Sequence, residues 1–200
     1  MIKNLIFDFS DTLCRFGAFD WLRGMADEEQ ALRIHFAHFK LPEWPFYDRG
    51  EISTEYFREK YIAALDEGDR EIGRLYCEQW FHYHTMIDGI PELLAELKAK
   101  GYRIYLLSDY PEIFEYNWEK FADFFKIFDG RCVSYELGAR KRERKPFGLL
   151  LDRFGLKAEE CYFVDDLDLN IEAALECGFS AHQFTTVERF REALAEQNIL

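Results

Sequence analysis

The hydrophobic and polar positions divide the chain into two regimes. Residues 2–9 (IKNLIFDF) form a short apolar, β-prone run broken by Asp8, the pattern of a central strand buried on both faces of a parallel sheet. The period then changes. Residues 27–39 put Leu32, His35, Phe36 and Phe39 on one helical face. Residues 53–65 do the same with Phe57, Tyr61, Ala64 and Leu65 behind a Ser/Thr start, and residues 69–83 with Ile72, Leu75, Tyr76, Trp80 and Tyr83. No strand pattern interrupts these three helices, and 41–50 (LPEWPFYDRG) reads as a connection punctuated by Pro and Gly. Residues 15–86 are therefore expected to form a helical lobe.

From residue 87 strands and helices alternate. Helices are expected at 90–100, 112–125, 144–154, 168–177 and 187–197, and strands at 102–108, 131–134, 161–166 and 179–184. Such alternation implies a parallel sheet covered on both faces. The expected fold is an α/β, Rossmann-like doubly wound core of residues 1–14 and 87–200, with an inserted all-helical cap at 15–86.

Composition narrows the partners. The formal net charge is −13, so no basic surface exists to hold nucleic acid or an anionic membrane. An anionic substrate needs a local cation, a metal or a lysine. The five cysteines form no CxxC pair and their number is odd, which reads as reduced thiols in a cytoplasmic protein. No apolar run is long enough to span a membrane and no signal segment precedes the first strand. Hydrophobic residues make up 48% of the chain and aromatic ones 18%, enough for a packed core.

Four polar points fall at the ends of expected strands or in the loops after them: Asp8, Ser108, the 141–145 loop and Asp165-Asp166. Parallel strands bring their carboxyl ends to one edge, so these groups can converge. One carboxylate to attack, others to hold a cation, and a hydroxyl and an ammonium to hold an anion suit phosphoryl transfer.

The motifs that carry these points resemble those of the haloacid dehalogenase-like hydrolases. LIFDFSDTL (5–13) is similar to the family's first motif, YLLSD (105–109) to the second, LGARK (137–141) to the lysine motif and YFVDDLDLNIEAA (162–174) to the acidic fourth. The lobe after the first motif resembles a C1 cap. DRGEIS (48–53) with the DD…N form of the last motif resembles the branch of glucose-1-phosphatases and epoxide-hydrolase N-domains. The resemblance implies hydrolysis of a small phosphorylated metabolite with Mg²⁺. Asp8 would attack phosphorus; Asp8, Asp166 and the Ser10 carbonyl would hold the metal with Asp165 beside them. Ser108 and the lysine, with Asp11 and Asp109, would hold the substrate. A gapless match puts Lys141 at the lysine position, while Lys145-Pro146 carries the family's usual Lys-Pro look.

Ser10 departs from the family, whose phosphatases have an acid–base Asp two residues after the nucleophile. A serine hydroxyl is too weak an acid for that role near pH 7, at an expected cost of roughly 10²–10⁴ in rate. Three explanations compete: a good leaving group such as an anomeric or acyl phosphate, a proton from Asp11 or a cap residue, or a binding protein that turns phosphorylated ligands over poorly. A metal-free 2-haloacid dehalogenase is the alternative enzyme, against which the Asp165-Asp166 pair argues; a mutase would keep the acid–base Asp. His35 and His38, three apart, read as packed side chains rather than a metal site, as do His82 and His84. Trp21, Trp44 and Trp80 read as packing anchors. The oligomeric state and natural substrate are not legible.

Overall fold

The structure, a computed structural model, describes residues 1–200. β1 (Asn4–Phe7) is followed by a short β2 (Cys14–Phe16), then by helices α1 (Ala18–Arg23), α2 (Glu28–Lys40), α3 (Trp44–Asp48), α4 (Thr54–Ala64) and α5 (Arg70–Gln79). β3 (His84–Met86) returns antiparallel to β2 and leads into α6 (Ile90–Ala99). β4 (Arg103–Ser108), α7 (Phe114–Lys120), α8 (Ala122–Phe125), β5 (Gly130–Val133) and α9 (Ser134–Leu137) come next. α10 (Lys145–Phe154), β6 (Cys161–Asp165), α11 (Asp168–Glu176), β7 (Ser180–Gln183) and α12 (Val187–Glu196) complete the chain. No helix is long and apolar enough to cross a membrane.

Five strands make one parallel sheet in the order β5-β4-β1-β6-β7, as the alternation of the chain's second half implies. β1 is central and its four residues are wholly buried, because both faces are covered and no polar alternation is needed. Its pairing of Phe7 with Leu106 on one side and Val164 on the other sends Asp8 out between the ends of β4 and β6. The Asp8 amide donates to the Val164 carbonyl at 2.9 Å, so the nucleophile candidate is pinned by the ladder itself.

Four expectations are corrected. The division drawn at 14/15 falls inside the β2–β3 ribbon, whose strands of three residues each are too short for a period to show. The 41–50 connection holds α3, and 112–125 is two helices, α7 and α8. On α2 the buried positions are Ala31, Ile34 and His38, not Leu32, His35, Phe36 and Phe39; Phe36 is 45% exposed. That displaced aromatic stripe looks into the cavity described below.

Two helices of the inserted segment, α2 and α4, start on side-chain caps: Asp27 accepts from the Gln30 amide at 2.9 Å and Ser53 from the Tyr56 amide at 3.1 Å, each satisfying a donor that the first turn leaves unpaired. At the end of α3 and in the turn after it the chain touches the core. Ser134 Oγ donates to the Asp48 carbonyl at 2.5 Å, and Arg140 pairs with the Asp48 carboxylate at 2.7 Å. Gly50, at φ +70°, lies so close that a Cβ would sit 2.8 Å from the Tyr135 carbonyl oxygen, and only glycine fits there.

Candidate active site

Four side chains from three segments meet at the carboxyl edge of the sheet. Asp8 leaves β1, Asp165 ends β6 and Asp166 follows it; the ligand oxygens of all three lie within 4.8 Å of one another. Lys141 reaches them from the turn between α9 and α10. Its Nζ donates to Asp8 Oδ1 at 2.6 Å and to Asp165 Oδ2 at 2.5 Å, and the residue is 1% exposed. Lys145, the alternative, is exposed at the start of α10.

The Lys141 turn is held by Asp109, whose carboxylate accepts the Lys141 backbone amide at 2.9 Å to Oδ1 and 3.2 Å to Oδ2. Asp109 thus anchors the lysine loop and also lines the cavity. Ser108, 1% exposed, ends β4 beside it without itself walling the cavity. Ser10, Asp11 and Asp166 do wall it.

Asp165 is saturated. Oδ1 accepts the Leu167 amide at 2.9 Å and Asn170 Nδ2 at 3.0 Å; Oδ2 accepts Asn170 Nδ2 at 3.0 Å and Lys141 at 2.5 Å. A carboxylate offers about four acceptor positions, so Asp165 has little left for an ion. Asp8 and Asp166 retain free oxygens facing the cavity, and the Asn170 Oδ1 is buried beside them with no partner.

The electrostatics follow from three carboxylates around one ammonium. Burial works against the Lys141 ammonium, but Asp165, Asp8 and Asp109 outweigh it and raise its pKa. Burial pushes Asp8 up to about 8, against the pull of Lys141 and with the push of Asp165 and Asp166. Burial, then Asp165, takes Asp166 to about 6. One cation does not neutralise this cluster, and a hard divalent ion among oxygen donors fits it.

Ser10 Oγ lies 3.1 Å from His84 Nε2, a contact absent from the sequence reading. His84 Nδ1 lies 3.3 Å from the Phe81 carbonyl, which can only accept. Nδ1 therefore carries the ring proton, Nε2 accepts, and the Ser10 hydroxyl donates. Burial lowers His84 to about 4, so the ring is neutral at pH 7. The one hydroxyl proton of Ser10 is thereby committed to His84. No pattern could have signalled this, because it depends on the pairing of Phe16 with His84 across the β2–β3 ribbon. The Asp48–Arg140 pair was missed for the same reason: its halves come from the helical segment and the core loop. Asp11, whose pKa is raised by burial, accepts the Phe16 amide at 2.9 Å on one carboxylate oxygen.

The cavity above this floor measures about 390 Å³. Its far wall comes from Phe16, His35, Phe36, Phe39 and Trp44. Of the three tryptophans read as packing anchors, Trp44 instead lines the cavity, while Trp21 stacks on Tyr83 at 4.6 Å and Trp80 is buried. His35 and His38 bring no metal: His35 Nδ1 meets the Tyr76 hydroxyl at 2.7 Å, and His38 is enclosed by aromatic rings.

A family model for haloacid dehalogenase-like hydrolases matches residues 2–178. The chain belongs to that family. A glyceraldehyde 3-phosphate phosphatase of Methanocaldococcus jannaschii is 29% identical to it over 195 residues, 89% of this chain and 82% of that one. A D-ribitol-5-phosphate phosphatase of Bacteroides thetaiotaomicron is 28% identical over 199 residues, 92% of each. Among solved structures, a HAD family enzyme of Bacteroides thetaiotaomicron in complex with magnesium and inorganic phosphate shares the fold. Its TM-score is 0.69 at 20% identity, over 94% of this chain and 96% of that one. This chain is accordingly a HAD-like hydrolase with the family's α/β core.

Proposed function

We propose that this hydrolase cleaves a small phosphate monoester through an aspartyl-phosphate on Asp8, with Mg²⁺ held by Asp8, Asp166 and the Ser10 carbonyl. The carrying observation is the buried Lys141 ammonium, 2.6 Å from Asp8 and 2.5 Å from Asp165, at the floor of a cavity. An ammonium so placed can neutralise both an attacking carboxylate and an incoming phosphoryl group, the largest task in such a transfer. The oxygens of Asp8 and Asp166 and the orphaned Asn170 Oδ1 fit a hard cation. When bound, the ion supplies charge neutralisation on the phosphoryl oxygens and keeps Asp8 ionised. Asp165 serves differently from the other two: fully hydrogen-bonded, it holds Lys141 and Asn170 in place. The helical segment at 15–86 acts as the cap that closes over the substrate and excludes water. Two similar proteins are named as phosphatases of small phosphorylated polyols or aldehydes, which supports a phosphorylated metabolite as substrate.

The chemistry splits into two displacements. Asp8 Oδ attacks phosphorus while the ester oxygen leaves with the bonding pair; water then attacks the aspartyl-phosphate, releasing phosphate and regenerating Asp8. Ser10, its proton given to His84, has none for the leaving oxygen. This favours a substrate whose leaving group departs unprotonated.

The test is turnover of p-nitrophenyl phosphate, whose nitrophenolate needs little protonation, with Mg²⁺ or with EDTA. Turnover with Mg²⁺, loss in EDTA and loss in Asp8→Asn support the reading. Hydrolysis unaffected by EDTA, or retained in Asp8→Asn, contradicts it. A second reading, a phosphometabolite-binding protein with little turnover, rests on Ser10 alone; it predicts one equivalent of nitrophenolate and then almost none.

A further inference from the structure

The wall that faces the phosphoryl floor is made of rings. Phe16 comes from β2, His35, Phe36 and Phe39 from α2, and Trp44 from α3. The rings brace one another: Phe39 and Trp44 meet with centroids 4.7 Å apart, His35 and Phe39 at 5.1 Å, and Phe16 and Phe39 at 5.9 Å edge to face. Their arrangement is therefore packed, not a loose fringe. Phe36 leaves 45% of its surface exposed, with the Lys40 ammonium 4.5 Å from its ring centroid.

What this wall lacks is equally informative. His35 has one ring nitrogen engaged by Tyr76, and burial lowers its pKa to about 4, so it brings no charge at pH 7. Arg140, at the cavity edge, sets its Nε 2.7 Å from the Asp48 carboxylate and 3.8 Å from that of Asp109, which hold its charge against the core loop. A polyol pressed against such a wall would bury hydroxyls with few partners, each weakening binding by roughly fivefold or more. A flat apolar ring instead gains contact area and favourable ring geometry. At about 390 Å³ the cavity lies at the small end of ligand pockets and accommodates a phosphoryl group together with a ring system.

Ser10 points the same way by an independent route. An alkoxide leaving group needs a proton that the Ser10–His84 pair does not offer. A phenol-like oxygen, with a pKa of roughly 10 by analogy with tyrosine, leaves without one far more readily.

We propose that the ester this site accepts carries an aromatic leaving group, an aryl phosphate monoester whose ring lies against Phe16, Phe36, Phe39 and Trp44. This rests on the phosphatase reading above. The P–O bond to the aryl oxygen breaks as the Asp8 Oδ–P bond forms. The electron pair departs on the aryl oxygen, which takes its proton from solvent. Water then cleaves the aspartyl-phosphate, and its proton passes to solvent.

Binding of non-hydrolysable probes separates the pocket's preference from leaving-group reactivity. With Mg²⁺ present, calorimetry is run with phenylphosphonate, 2,3-dihydroxypropylphosphonate and inorganic phosphate. Phenylphosphonate is expected to bind about tenfold or more tightly than the dihydroxypropyl compound, since ring burial is worth roughly 1.5–3 kcal/mol. Phe36→Ala should raise the Kd for phenylphosphonate several-fold more than that for inorganic phosphate. Phe39→Leu, which keeps apolar volume but removes a ring, should act in the same direction and stands in if Phe36→Ala does not fold. Equal or tighter binding of the dihydroxypropyl compound, or a preference unchanged in both variants, overturns the aryl assignment while inorganic phosphate still binds. Failure of inorganic phosphate and both phosphonates to bind overturns the phosphatase reading itself, and the aryl assignment with it.

Discussion

Replacing Lys141 by Met keeps a side chain of similar length and removes the only ammonium from a buried cluster of carboxylates. At 2.6 and 2.5 Å and an effective dielectric of ~20, each contact supplies roughly 6 kcal/mol of bare attraction. Desolvating the ammonium and two carboxylates costs several kcal/mol per ion, which cancels most of that sum. The intact cluster is therefore not a large source of stability. The variant is a different case, because Asp165, and Asp8 whenever it ionises, then lack a counter-charge; breaking such buried pairs costs about 3–5 kcal/mol. Urea unfolding at pH 7 in EDTA should show a loss of that size. Mg²⁺ should then stabilise Lys141→Met more than the unmodified protein, since the ion meets more uncompensated negative charge. Turnover should fall by about 10²–10³, the usual worth of a charge stabiliser in the transition state. A loss under about 1 kcal/mol, or equal Mg²⁺ stabilisation of both proteins, would show that Lys141 does not balance these carboxylates and refute the reasoning.

Other expectations follow from the same geometry. His38 is fully buried with neither ring nitrogen partnered, so His38→Leu should raise stability by about 1–3 kcal/mol, seen as a higher melting temperature. Its folded pKa lies well below the ordinary 6.5, so its stability contribution is complete above pH 6.5 and lost as pH falls. The acid slope of stability should accordingly be shallower in His38→Leu, and an unchanged slope would count against the burial of a neutral ring. Ser10→Asp restores an acid–base group and should accelerate turnover of alkyl phosphates by up to about 10²–10⁴ while shortening the life of any phosphoenzyme; a slower variant with no trapped intermediate would contradict that. Asp8 at about 8 and Asp166 at about 6 hold protons at pH 6–7 in the metal-free protein, so calorimetry in buffers of different ionisation enthalpy should detect proton release on Mg²⁺ binding. The affinity for Mg²⁺ should rise with pH up to about 8, and a flat profile would contradict those shifts.

The core was legible because its strands are buried on both faces. LIFDF, YLLS and YFVDD need no polar alternation, and each ends on the polar residues that a parallel sheet gathers at one edge. Lys141 was harder to read, since a basic loop offers Lys145 as readily and only the turn held by Asp109 aims one of them inward. The β2–β3 ribbon and the contacts made through it, Ser10 with His84 above all, were not legible: strands of three residues carry no period and their partners lie far apart in the chain, Phe16 facing His84 and Cys14 facing Met86. The α2 face was misassigned for an instructive reason. Apolar residues on a helix signal shelter from water, but not whether a lobe's core or a ligand cavity gives it. Ala31, Ile34 and His38 face the core, and the larger rings face the site.

The nucleophilic role of Asp8 is the claim on which the mechanism turns. Mass spectrometry of protein quenched in acid during turnover of p-nitrophenyl phosphate with Mg²⁺ tests it most directly. The account predicts one added phosphoryl group on the peptide that contains Asp8, absent in EDTA and in Asp8→Asn. Rapid turnover with that peptide unmodified, together with an active Asp8→Asn protein, would contradict it.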